Sequence, residues 1–220
     1  MKTYLTDQIR NVALLGNTGC GKTLLAESMM FEGKVIERKG TIEGKNTVSD
    51  YSEIEQINQR SIFSTILYTE FMDRKLNIID TPGSDDFVGG VITSMYPADI
   101  MIMVINGQYG VEVGTEIFNR HAERMNKPMV LAVNQLDHEK ANFDQTLDSL
   151  KQTFGNKVIL AQYPVNPGTS FDAFIDVITM KMYKFKGDTG IREEFPIPAE
   201  EADKAAELHN ALIEAAAEND

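Results

Sequence analysis

The residues Gly16-Asn17-Thr18-Gly19-Cys20-Gly21-Lys22-Thr23 follow the pattern G-x-x-x-x-G-K-T, and the chemistry of that pattern is the gripping of phosphate. Glycines let backbone N–H groups turn inward, so Asn17, Thr18, Gly19, Cys20 and Gly21 are expected to cradle a phosphate chain. A helix opening at Lys22 adds the partial positive charge of its N-terminus. The Lys22 ammonium is expected to reach the β- and γ-phosphates of a nucleoside triphosphate, and the Thr23 hydroxyl to ligate Mg²⁺. Cys20 is expected to offer its backbone rather than its thiol.

Two further groups stand at strand-like ends. In Asp80-Thr81-Pro82-Gly83, the Asp80 carboxylate can hold the metal through water, and the Gly83 amide can sense a γ-phosphate. Alone, D-T-P-G is an ordinary turn sequence; its place one strand pair after the glycine-rich loop gives it a metal-site reading. In Asn134-Gln135-Leu136-Asp137, the Asp137 carboxylate can accept both the N1 and N2 hydrogens of guanine. Adenine offers no such pair of donors, so Asp137 would choose the base, with Asn134 and Gln135 beside it. Crevices at the carboxyl ends of strands are where such sheets bind ligands.

The elements that must position these groups are legible from hydrophobic pattern. Ile9–Leu15 predicts a buried strand and Lys22–Met30 a helix. Glu32–Gln59 is polar and aperiodic, a long mobile connection of the kind that is often functional. Ile62–Phe71 and Lys75–Asp80 predict a hairpin, and Asp85–Tyr96 a helix weakened at Gly89-Gly90 by about 1 kcal/mol per glycine. The apolar runs Asp99–Ile105 and Pro128–Asn134 predict strands covered on both faces, with a helix over Gly114–Met125 between them. The alternation predicts an α/β fold, a mostly parallel sheet with helices on both faces. Beyond Asp137 the pattern predicts a helix over Lys140–Phe154, a strand over Val158–Tyr163, a short helix over Phe171–Ile178 and a strand over Met180–Phe185. A linker over Gly187–Pro198 and a long helix over Ala199–Asn219 complete the chain.

Composition narrows the partners. Among 220 residues, 33 acidic against 21 basic side chains give a net charge of -12. Broad grips on bare nucleic acid need the opposite sign, so independent DNA binding is not expected and any RNA contact is local or made through protein. Cys20 is the only cysteine, which excludes an internal disulfide. No signal-peptide pattern and no apolar run of membrane-spanning length is present, so a cytoplasmic protein with no membrane partner is expected.

In these three ordered motifs the sequence resembles the translational GTPases, most closely the GTP-binding domain of elongation factor G and its bacterial paralogues. The resemblance runs through LNIIDTPGSDDFVGGV, NGQYGVEVGTE, AVNQLDHEKANFD and YPVNPGTSFDAFIDVITMKMYKF, and on into IPAEEADKAAELHNALIEAAAEND. It implies a P-loop NTPase domain that binds GTP or GDP with Mg²⁺ and acts on the ribosome in translocation. It further implies a GTP-binding core over 1–155 and part of an inserted α+β lobe over 156–220, a lobe that in the family faces the ribosomal stalk proteins. The family's last base-binding motif, a Ser-Ala pair, is not found after Asp137. The expectation is therefore a monomeric N-terminal fragment that ends before the last core strand and helix.

The departures from the family pattern concern reactivity. The histidine that ends the family's DTPGH motif, where it orients the attacking water, is Ser84 here. The P-loop has Gly19 in place of an aspartate, and the base motif has Gln135 in place of a lysine. The switch motif RGIT, whose threonine ligates Mg²⁺, aligns without gaps to Asn58-Gln59-Arg60-Ser61, making Ser61 the ligand; a two-residue shift gives Arg60-Ser61-Ile62-Phe63 and no ligand. Since phosphoryl transfer depends on positioning and electrostatics, retained nucleotide binding with slow or lost hydrolysis is expected. The competing readings are a competent ribosome-stimulated GTPase with a substitute for the histidine (Asp85 or Asp86 by position), a ribosomal-protection factor of the tetracycline-resistance type, and an unrelated P-loop ATPase.

Overall fold

Val12, Ala13, Leu14 and Leu15 are apolar without alternation, and they form the buried half of β1 (Ile9–Leu15), which has a strand on each side of it. The computed structural model describes residues 2–187 and 190–218. In the first part of the chain follow α1 (Lys22–Glu32), α2 (Glu53–Asn58), β2 (Thr65–Phe71), β3 (Arg74–Asp80), α3 (Val88–Met95), β4 (Ile100–Asn106), α4 (Val113–Arg124) and β5 (Met129–Asn134). The five strands form one sheet in the order β2-β3-β1-β4-β5, parallel except for the β2–β3 hairpin. The fold is α/β with a mostly parallel sheet, as the alternation predicts.

Register places the functional ends together. Leu14 of β1 lies opposite Asp80 of β3, and Asn106 of β4 opposite Asn134 of β5. Under one face, Val12, Leu14, Leu67 and Ile78 pack with Ala26 and Met30 of α1. Covering an aliphatic side chain of this size stabilises by about 1.5–3 kcal/mol, which fixes α1 and hence the loop before it. The core face and the phosphate loop are thus set by the same helix.

Several expectations are corrected. Glu32–Gln59 is not a featureless connection, for α2 closes it, started by Ser52, whose side chain accepts from the Glu55 amide. The segment Asp85–Tyr96 begins as a 3-10 turn at Asp85–Phe87, and the α-helix is confined to Val88–Met95. β5 is an outer strand, half-buried, with Val130 48% exposed.

Contacts divide the chain into two compact units, Met1–Asn134 and Gln135–Asp220, a division earlier in the chain than residue 155. The second unit holds α5 (Phe143–Phe154), β6 (Gln162–Pro164), β7 (Ala173–Asp176), β8 (Lys181–Phe185), β9 (Arg192–Phe195) and α6 (Ala202–Ala217). Its four strands form an antiparallel sheet in sequence order. The short helix expected over Phe171–Ile178 is strand β7: Ala173 and Ile175 are buried while Phe174 and Asp176 are less so, a period of two rather than 3.6. The linker expected over Gly187–Pro198 contains β9, whose polar residues pair with β8 (Tyr183 opposite Glu194), because an edge strand needs no apolar run. The strand expected over Val158–Tyr163 is limited to Gln162–Pro164, and α6 is preceded by a 3-10 turn at Ala199–Glu201. Asn219 lies outside the described residues.

Candidate functional site

The loop between β1 and α1 turns on glycines in the left-handed region: Gly16 at φ 138°, Gly19 at 82° and Gly21 at 98°. A side chain at Gly16 would run into the Val104 carbonyl, and one at Gly21 into the Asn134 amide. Gly21 caps α1 without a side-chain hydrogen bond, and the first turn carries no acid. The opening N–H groups of α1 thus receive no side-chain cap and lie at the positive end of the helix dipole.

Lys22 is 6% exposed and its Nζ donates to the carbonyls of Gly16, at 2.8 Å, and Asn17, at 3.1 Å. An ammonium so placed sits inside the loop rather than in solvent. The Asp80-Thr81-Pro82-Gly83 turn is tied to the same place: Thr81 Oγ1 donates to Leu14 O at 2.6 Å, and Thr18 N to Gly83 O at 3.1 Å. A Cβ at Gly83 would stand 2.5 Å from Thr18 N and 2.6 Å from Lys22 Nζ, so only a glycine lets this turn approach the loop. Cys20 is buried, and burial raises its thiol pKa despite the neighbouring Lys22, so it is a poor nucleophile.

Beside the loop lies a cluster of hydroxyls and carboxylates. Thr23 Oγ1 donates to Asp80 Oδ2 at 2.8 Å and lies 3.2 Å from Ser61 Oγ. Ser49 Oγ donates to the same Asp80 oxygen at 2.7 Å. Asp80 is 1% exposed, and burial pushes its carboxyl pKa up, against the Ser49 and Thr23 hydroxyls and the Lys22 charge. Burial raises Asp50 as well. Among the described residues, Asp80 Oδ1 and both Asp50 carboxyl oxygens are buried without a hydrogen-bond partner. Orphaned buried carboxylate oxygens are costly unless a cation or ordered water meets them. Mg²⁺ fits this donor set, since it binds through one or two carboxylates, hydroxyls and substrate phosphates rather than through an all-protein cage. Among the described residues no group of three or more His, Cys, Asp or Glu side chains gathers as a metal site.

Two buried glutamates hold the long connection over this cluster. Glu27, one turn after Thr23 on α1, accepts from the amides of Gly40 and Val48. Glu55 accepts from Ser52 Oγ at 2.6 Å and from the amides of Ile62 at 2.9 Å and Phe63 at 3.0 Å. Burial alone would raise the Glu55 pKa, but these hydrogen bonds win and hold it below the usual carboxylate range.

Of the residues expected to act, Asn17 to Thr23, Asp80, Gly83 and Ser61 are brought together around the loop. Asn134 joins them, its Nδ2 donating to Cys20 O at 2.8 Å. Ser84 follows directly and starts the 3-10 turn; its Oγ is 3.4 Å from Asp86 Oδ2, an exposed contact. Gln135 and Asp137 belong to the second unit, where Gln135 has φ 58° and Asp137 is exposed in a turn stabilised by Gly168 N donating to Leu136 O. Ser49, Asp50, Glu27 and Glu55 escaped sequence reasoning. Ser52-x-x-Glu55 is a capping-box pattern that marks a helix start; nothing in the local sequence marks Ser49 or Asp50.

Comparison with known proteins identifies the family. Residues 7–218 match the family profile described as the elongation factor Tu GTP binding domain. The chain is 34% identical over 220 residues to elongation factor G of Mycoplasma genitalium, covering 100% of this chain and 32% of that protein. It is 32% identical over 188 residues to an elongation factor G-like protein of Thermotoga maritima, covering 86% of this chain and 27% of that one. A crystal structure of a Thermus thermophilus protein superposes with a TM-score of 0.90 at 29% identity, over 97% of this chain and 32% of that one. The chain thus spans about a third or less of the length of the relatives it matches.

Proposed function

The chain belongs to the family of elongation factor Tu GTP-binding domains, and from that premise we propose that it binds GTP and GDP with Mg²⁺ as the nucleotide module of an elongation-factor-G-like protein, and hydrolyses GTP slowly. The observation that carries this is the convergence of Lys22, Gly83 and the Thr23–Asp80 pair on one uncapped helix start. The loop amides and Lys22 bind the phosphates, Lys22 exchanging the carbonyls of Gly16 and Asn17 for phosphate oxygens. Thr23, Ser61 and Asp80 would hold Mg²⁺, which supplies charge neutralisation on the β- and γ-phosphates when bound. Asn134 braces the loop through Cys20 O, and Asp137 selects guanine by accepting from N1 and N2, with Gln135 in place of a lysine against the base.

Ser84 supports slow turnover. A hydroxyl is short and carries no positive charge toward the transition state, and a positioned acid–base group is worth about 10²–10⁴ in rate. In the full-length protein the partner is the ribosome, including its stalk proteins, and the site of action the cytoplasm. The described residues include no helix long and apolar enough to cross a membrane. Titration of GTP, GDP and ATP, followed by single-turnover hydrolysis on ribosomes with the full-length protein, tests the proposal. Tight GTP and GDP binding with weak ATP binding is expected, with turnover well below that of an ordinary elongation factor. Equal affinity for ATP overturns the base assignment, and an ordinary rate overturns slow hydrolysis.

A further inference from the structure

The connection from Gly33 to Ser64 is mostly polar, yet it delivers the Ser61 hydroxyl to within 3.2 Å of Thr23 Oγ1. Val35 and Ile36 anchor its start on the core, far in sequence from Ser61. The two residues after Ser61 explain the placement: the amides of Ile62 and Phe63 both donate to one oxygen, Oε1, of Glu55. The other oxygen, Oε2, accepts from Ser52 Oγ at 2.6 Å and Ser52 N at 3.4 Å at the start of α2. Glu55 is 1% exposed, so these groups replace its water completely.

A glutamate serving only as the third residue of a capping box answers the Ser52 end alone; the grip on Ile62 and Phe63 goes beyond it. The Oε1 contacts fix the backbone immediately after Ser61, and hence the direction of its hydroxyl. We propose that Glu55 is a positioning residue that sets the Ser61 hydroxyl against Thr23 and thereby governs cation affinity in the triphosphate-bound state. This rests on the nucleotide chemistry proposed above. Outer groups that orient a metal ligand are typically worth 10–100-fold in metal affinity.

The test is the Mg²⁺ dependence of binding, measured by fluorescence titration with a non-hydrolysable GTP analogue and with GDP. Glu55→Ala is expected to raise the Mg²⁺ concentration for half-maximal analogue binding by about tenfold, leaving GDP binding within about twofold, since the switch hydroxyl is expected to ligate Mg²⁺ in the triphosphate state. Glu55→Gln, which keeps an Oε1 acceptor but not the Oε2 one, is expected in between, and it carries the test if the alanine variant does not fold. In a Ser61→Ala background, Glu55→Ala should add less than about twofold, because residues that act through one another do not add. An equal shift for GDP, or full additivity with Ser61→Ala, overturns the assignment and leaves the nucleotide-binding proposal standing. No analogue binding by the unaltered protein overturns both.

Discussion

Thr23 Oγ1 donates to Asp80 Oδ2 at 2.8 Å, linking the first turn of α1 to the last residue of β3 across 57 positions of sequence. The pair exists because β1 and β3 run parallel with Leu14 opposite Asp80, which brings the strand end and the helix start to one edge. Thr23→Val keeps the branched shape and removes only the hydroxyl. Nucleotide affinity in Mg²⁺ is expected to fall by about tenfold or more, while affinity in EDTA changes little. Calorimetric titration in the two buffers checks this; equal losses in both would mean that Thr23 serves packing alone.

The same carboxylate predicts a pH dependence. Burial raises the Asp80 pKa in the folded, ligand-free protein above its unfolded value of about 3.9. Between those two values the native state binds more protons than the unfolded state, so the stability Asp80 contributes is present below about pH 4 and is lost as pH rises through the folded pKa. Asp80→Asn removes this loss. Without metal or nucleotide, Asp80→Asn is expected to be the more stable protein at pH 7, with the gap narrowing on acidification; Mg²⁺ and nucleotide should reverse the order. Urea midpoints at several pH values measure it, and a gap that does not vary with pH counts against a buried, uncompensated Asp80. Asp50, raised for the same reason, keeps some pH dependence in the variant.

Two glycines separate space from backbone conformation. Gly83 is needed for closeness, since a Cβ there would stand 2.5 Å from Thr18 N and 2.6 Å from Lys22 Nζ. Gly83→Ala is expected to weaken nucleotide binding by about tenfold or more, equivalent to about 1.4 kcal/mol, and to lower the ligand-free melting point as well, because the Thr18 N and Asn17 C that its Cβ meets are backbone atoms that must shift. At Gly19, with φ 82°, a Cβ meets nothing within 4 Å, so Gly19→Ala costs backbone strain of about 1–2 kcal/mol. Its effect should therefore appear in the melting point of the ligand-free protein as well as in affinity. Thermal melts beside titrations check both, with the larger ligand-free loss expected for Gly83→Ala; a larger loss for Gly19→Ala would refute the distinction.

How much of this was legible in the sequence depends on whether a residue signals locally. Gly16, Gly21, Lys22 and Thr23 are recognisable because their spacing is itself the mechanism, and β4 and the buried half of β1 because buried strands read as unbroken apolar runs. β7 and β9 failed for opposite reasons. Phe171–Ile178 is apolar enough to pass for a helix face, while Arg192–Phe195 is a polar edge strand with no apolar alternation to detect. Ser49 is silent in sequence: its role comes from Glu27 holding Val48 and from Thr65 Oγ1 donating to the Ser49 carbonyl, contacts that only the fold creates.

Ser84 offers the most direct test of what limits turnover. It begins the 3-10 turn Asp85–Phe87 at φ -86° and ψ 140°, ordinary extended values that a histidine adopts without strain. Among the described residues its hydroxyl makes only the exposed 3.4 Å contact with Asp86, so replacing it removes little structure. An imidazole here extends further from the backbone, can orient a water, and can carry charge with the Asp86 carboxylate beside it. Ser84→His is expected to raise single-turnover GTP hydrolysis on ribosomes by about a hundredfold, within the range for a positioned acid–base group, with GTP affinity unchanged within about twofold. If the rate stays flat while binding is intact, a step other than water activation limits the reaction, and the proposal that Ser84 makes hydrolysis slow fails.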